Sequence, residues 1–170
     1  MIPNNPFDSS FLLQKRRKLK KALLADGSAR MEKRIAVLGG STTNDIVSML
    51  ELFLLNCGIQ PVFYQSEYAQ YWQDAMFDNP ELESFQPDLI FIHTTSRNIS
   101  EAPLPLSASE QEVRDALERQ FSHFSQMWER LHEVYHCPII QNNFELPSTR
   151  LMGNRKSLIY KGIILTTISN

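Results

Sequence analysis

The sequence predicts an α/β protein, a three-layer α/β/α sandwich built on a mainly parallel sheet. Three observations carry that expectation. Four short apolar runs, Ile35–Leu38, 61–65, 88–93 and 137–141, are spaced along the chain with helical stretches between them. The unbroken runs among them have the character of strands buried on both faces, as parallel strands under two helical layers are. The C-terminal end of every run opens into hydroxyls and amides, while the N-terminal ends carry little polar chemistry. Strands alternating with helices then leave few topologies, because crossovers between parallel strands are right-handed.

Taken in order, residues 1–7 read as an extended lead-in, and Asp8, Ser9 and Ser10 offer N-caps for a helix from Phe11 to about Ala25, stopped at Asp26-Gly27. The first strand, Ile35–Leu38, runs into Gly39-Gly40, and the helix 46–56 follows, with Thr42 or Thr43 as its cap and Gly58 just past its end. A second strand, 61–65, precedes helical pieces at 68–76 and 80–85, and a third strand covers 88–93. Pro103 and Pro105 exclude a helix from the loop 94–107. From Ser107 or Ser109 the apolar positions Val113, Leu117, Phe121, Phe124, Leu131 and their neighbours keep a three-or-four spacing, so the longest helix runs to about Tyr135. The fourth strand is 137–141, and the segments 157–160 and 162–169 read as strands of unassigned partner. The chain divides into an N-terminal arm with a basic helix (1–33), an α/β domain (34–154) and an atypical tail (155–170) with the look of a truncation.

With 170 residues, 42% hydrophobic and 21% charged, the chain is long enough for one sizeable core. The net charge of −2 conceals an asymmetry: residues 1–34 hold nine cations and three acids, whereas 35–154 hold five cations and sixteen acids. The acidic body argues against a nucleic-acid-binding domain. The basic helix either docks on an acidic partner or packs on the acidic body of its own domain. No run approaches the length of a membrane span, and no basic-then-apolar leader opens the chain. Cys57 and Cys137, eighty residues apart in apolar surroundings, read as reduced core residues, so the expected location is cytoplasmic.

Parallel α/β sheets take ligands at the carboxyl ends of their strands. That edge supplies the candidate binding residues: Gly40, Ser41, Thr42 and Asn44 after the first strand, Ser66 and Glu67 after the second, Thr94, Thr95, Arg97 and Asn98 after the third, and Asn142 and Asn143 after the fourth. Ser41, between two glycines and a helix start, lies where free N–H groups and a helix dipole favour an anion, or where a nucleophile meets an oxyanion site. A strand-to-helix turn without chemistry has the same composition. The nearest titratable groups are Glu67 and His93, the latter at the end of an apolar run where a hydrogen-bonded core histidine is the commoner outcome. No group of residues has metal-ligand spacing, and neither a dinucleotide fingerprint nor a P-loop is present, so no metal or cofactor is expected.

The blocks Ala36–Asn44, Phe63–Tyr68, 87–98 and Ile140–Pro147 resemble the N-terminal domain of FkbH-like proteins, biosynthetic proteins whose following module is a phosphatase of the haloacid-dehalogenase type (subfamily IIIC). That domain is similar in turn to SGNH hydrolases, which implies a flavodoxin- or SGNH-like sheet. It also implies a nucleophile position at Ser41 and an oxyanion-hole asparagine at Asn98. The departures are specific. Gly40 replaces the aspartate that precedes the serine, Ser66 stands where an oxyanion glycine is expected, and no Asp-x-x-His element supplies a base. The chain also lacks the Asp-x-Asp motif of the phosphatase module.

Three functions follow as expectations. One is an accessory, non-hydrolytic domain that binds a small ligand, an acyl carrier protein or a partner phosphatase module. Another is a serine esterase or acyltransferase using Ser41. The last is an interaction module working through the basic helix, with the tail as a route to homo-oligomers.

Overall fold

A computed structural model of the chain describes residues 8–102, 104–105 and 107–144. The lead-in 1–7 and the tail with its two expected strands lie outside the described residues. The described elements run α1 (Ser9–Ala25), β1 (Met31–Gly39), α2 (Asn44–Asn56), β2 (Ile59–Gln65), α3 (Tyr71–Met76), α4 (Pro80–Phe85), β3 (Leu89–His93), a 3-10 turn (Ser96–Asn98), α5 (Glu110–Tyr135) and β4 (Ile139–Gln141). The four strands form one all-parallel sheet in the order β2-β1-β3-β4. The expected α/β sandwich is therefore present.

Two apolar cores flank the sheet. On one face Ala36, Leu38, Tyr64, Ile90 and Ile92 pack with Tyr71, Ala75 and Leu82 of α3 and α4 and with Phe124, Met127 and Leu131 of α5. On the other, Ile35 and Val37 pack with Val47 of α2, with Leu54, Phe63, Leu89 and Phe91 at the margin. The alternation Ile35/Ala36/Val37/Leu38 thus feeds both cores, which is why the first strand shows no polar break. Full burial of a Val, Leu or Ile side chain contributes on the order of 1.5–3 kcal/mol.

A third cluster joins Leu12 and Leu23 of α1 to Leu52 and Leu55 of α2, so the basic helix packs on its own domain. Arg16 pairs with Asp45 at 2.8 Å and Lys20 with Glu51 at 2.7 Å, matching cations of α1 to acids of α2. Arg30 closes this joint. Its side chain is only 8% exposed, and its guanidinium donates to the carbonyls of Leu23, Ser28 and Leu55 and to the Asp26 carboxylate. Lys15, Arg17, Lys18 and Lys21 remain exposed.

The helix ends follow local chemistry. The Asp8 carboxylate accepts from Phe11 N–H at 2.9 Å. Ser109 and Glu112 form a reciprocal capping box that starts α5, with Ser109, the later of the two expected starts, as its N-cap. Thr43 occupies the N-cap of α2 without a capping bond from its side chain. The expected helical piece from Tyr68 begins only at Tyr71, because Ala69 takes a left-handed φ of 60° that no helix accommodates. β1 reaches back to Met31: of its first four residues three are charged, and all four pair with β2 alone and are mostly exposed, so they lack an apolar signature. Cys137 is buried, but Cys57 is exposed, contrary to the expectation of two core thiols. It stands at the C-cap of α2, past the helix's buried face.

Candidate functional site

The sheet order changes direction between β1 and β3, which makes the gap beyond their carboxyl ends the switch point of this fold. Gly40 N–H donates to His93 O at 2.8 Å, tying the two strand exits together. Asn98, on the 3-10 turn after β3, then reaches back across the gap. Its Nδ2 donates to Gly40 O at 3.1 Å, and its Oδ1 accepts from Thr95 N–H at 2.8 Å and from the Thr95 hydroxyl at 3.3 Å. A β-carbon on Gly40 would fall 2.5 Å from both Asn98 Nδ2 and Oδ1, so this position must be glycine while Asn98 keeps its place. Gly39 is equally confined, with Thr43 Cγ2 2.6 Å from where its β-carbon would be.

The neighbouring exits are braced the same way. Gly39 N–H donates to Ser66 Oγ at 2.7 Å, while Ser66 N–H continues the ladder to Val37 O at 3.0 Å. Asn142 acts as a side-chain extension of β4: its Oδ1 accepts from Thr94 N–H at 2.9 Å and its Nδ2 donates to Thr94 O at 2.8 Å. Thr94 is fully buried, and its hydroxyl accepts from Gln141 Nε2 at 2.9 Å. Gln141 in turn accepts from the Trp128 indole at 2.7 Å. The sequence offered no sign of this Trp128–Gln141–Thr94 relay.

Ser66, Thr94, Thr95, Asn98 and Asn142 thus direct side-chain polar atoms into the frame of the site. Ser41 is half-buried, whereas Thr42, Asn44, Glu67, Arg97 and Asn143 are exposed around the same edge. Among the described residues, no carboxylate or imidazole hydrogen-bonds the Ser41 hydroxyl, and no group of three or more His, Cys, Asp or Glu side chains is placed to hold a metal ion. His93 is half-buried with its ring 6.3 Å from Phe91, and His123 lies far along α5, stacked on Trp72 at 3.7 Å. Burial pushes the His123 pKa below the ordinary histidine range.

A second polar cluster, unmarked by any motif, lies under α3 and α4. Asn79 Nδ2 donates to Tyr64 Oη and to Asp74 Oδ1, both at 3.0 Å, and the Tyr64 hydroxyl donates to Asp74 Oδ2 at 3.3 Å. Burial raises the Asp74 carboxyl pKa against the lowering effect of these bonds, and Glu67 and Glu81 raise it further. Among the described residues, no helix is long and apolar enough to cross a membrane.

Fold and site together define a doubly wound α/β domain with its polar edge at the β1/β3 switch point. No protein-family model matches the sequence, and no curated protein matches it. Its fold is similar to the crystal structure of the N-terminal part of the protein BF1531 from Bacteroides fragilis, which contains a phosphatase domain complexed with Mg. The TM-score is 0.63 at 14% identity, over 90% of this chain and 39% of that one. At that identity the likeness establishes the arrangement of the layers, and this chain spans about two fifths of the length of that structure.

Proposed function

We propose that the chain is an accessory domain of a phosphatase-containing biosynthetic protein of the FkbH-like kind. It holds a small ligand, a carrier-borne acyl group or a partner phosphatase module at the switch-point edge without hydrolysing it. The observation that carries this reading is the pairing of Asn98 with Gly40 beside a Ser41 whose hydroxyl no carboxylate or imidazole among the described residues hydrogen-bonds. Gly40 stands at the position where the resemblance to SGNH hydrolases would put an aspartate, and a side chain there would meet Asn98. A serine hydroxyl without a general base is a weak nucleophile. Ser41, Thr42 and Asn143 remain as neutral donors and acceptors, and exposed Arg97 adds a positive charge suited to a carboxylate or phosphate. The likeness to part of a phosphatase-containing protein supports the same reading.

Exposure to a serine-directed fluorophosphonate, followed by intact-mass measurement, is expected to leave the chain unmodified. An adduct lost in Ser41→Ala would overturn the non-hydrolytic reading. Binding is tested by titrating glycerate or pantetheine into isotope-labelled protein, where amide shifts centred on Ser41, Thr42, Arg97 and Asn143 are expected. Shifts absent there at saturating probe would remove these compounds from the reading.

A further inference from the structure

Among the described residues β2 is an edge strand, paired only with β1. The bond from Ser66 N–H to Val37 O fixes which of its backbone groups face that neighbour. Backbone polar groups of successive residues point to opposite sides of a strand, so those of Tyr64 face β1 while those of Pro61, Phe63 and Gln65 face the open edge. Pro61 has no N–H to offer, a device that blunts an edge against unwanted pairing. The guard stops there. Among the described residues, no strand, loop or helix bonds the outward N–H and C=O groups of Phe63 and Gln65.

A cavity of about 420 Å³ opens at that unguarded half, lined by Phe63, Tyr64, Gln65, Glu81, Ser84 and Phe85. Three consecutive strand residues line it although their side chains alternate between the two faces, which places it along the strand edge rather than over either face. Its lining brings Tyr64 and Phe85, with ring centroids 5.9 Å apart, together with Phe63 and Gln65 of the strand and Glu81 of α4. The Glu81 carboxylate acts on both Tyr64 and Asp74, and Glu67 adds to the field at Asp74. The nearby Arg130 is engaged with Asp78 at 3.3 Å.

We infer that the open half of β2 and its cavity form a docking edge for an extended, basic segment of a partner protein, whose backbone pairs with Phe63 and Gln65 while a Lys or Arg side chain enters the cavity beside Glu81. Main-chain pairing supplies the affinity of such strand addition, and a pocket for an alternate side chain supplies the selectivity. The aromatic lining residues suit the apolar stem of the basic side chain and a cation over a ring face. This edge is separate from the switch-point site and does not depend on its function.

The probe is a short blocked peptide of alternating Val and Thr with a central Lys, titrated into the isotope-labelled full chain beside versions carrying norleucine or Glu in place of the Lys. Backbone hydrogen exchange at Phe63 and Gln65 is expected to slow with the Lys peptide, which binds about tenfold more tightly than the norleucine peptide, the scale of one charge-assisted hydrogen bond. Glu81→Gln is expected to erase that preference. Gln65→Pro, at an exposed position, is expected to abolish the protection with an unchanged circular-dichroism spectrum, and should it fail to fold, Glu81→Gln carries the test. Equal binding of the norleucine or Glu peptide, protection centred on another strand, or no binding at millimolar Lys peptide would overturn the proposal.

Discussion

Asn98 and Gly40, fifty-eight residues apart, form one steric unit: the amide of the first occupies the volume into which a side chain on the second would grow. Gly40→Ala is therefore expected to destabilise the fold by about 2–3 kcal/mol through overpacking. Asn98→Ala is expected to cost about 2 kcal/mol by leaving Gly40 O and the Thr95 amide without partners. The double variant is expected to be close to Asn98→Ala alone, a coupling of roughly 2–3 kcal/mol in urea unfolding. Additive losses would contradict the shared volume.

Thr94→Val keeps the shape of a fully buried side chain but removes the hydroxyl that accepts from Gln141. An unpartnered amide beside the Trp128 indole is expected to cost about 1–2 kcal/mol in chemical unfolding. An unchanged unfolding midpoint would show that the relay contributes nothing to stability.

Arg30 is the joint between α1, α2 and the start of β1. Arg30→Met is expected to lose about 3 kcal/mol, since Asp26 and the Leu23 and Leu55 carbonyls lose their donor together. Arg30→Lys is expected to recover only part, because one ammonium cannot reproduce the guanidinium's spread of donors. Faster proteolytic cleavage near Gly27 would accompany the loss, and resistance equal to the parent chain would argue against the joint.

His123 titrates against its own burial. Its folded pKa lies below the ordinary value, so the unfolded chain takes up a proton first as pH falls. Its contribution to stability is complete above about 6.5 and is lost as pH drops below that value toward the lower folded one. Between about pH 7 and about pH 5 the parent protein is expected to lose more thermal stability than His123→Gln, the difference being this one linkage. Parallel melting-temperature curves for the two proteins would sink the assignment.

The layers were legible because their signals are local. Ile35–Leu38 announces a doubly buried strand, and the spacing through α5 announces a helix. What stayed hidden depends on contacts across the chain. Met31–Arg34 reads as a polar linker because these residues pair with β2 alone, and Ala69 gives no warning that its backbone turns left-handed. At the site the polar character of the four exits was visible, but their division of labour was not. Asn142 and Thr94, forty-eight residues apart, meet only when β3 and β4 align. The Tyr64–Asp74–Asn79 cluster has no motif, since three separate elements contribute one residue each.

The order β2-β1-β3-β4 also sets a geometry for assembly. In the described sheet β4 forms one margin, while the outward backbone of Phe63 and Gln65 lies at the opposite margin, three strand spacings or roughly 14 Å away. A strand added beside β2 would therefore extend the described sheet on the side away from β4. The described sheet would then act as a rigid spacer between that added strand and the β4 margin.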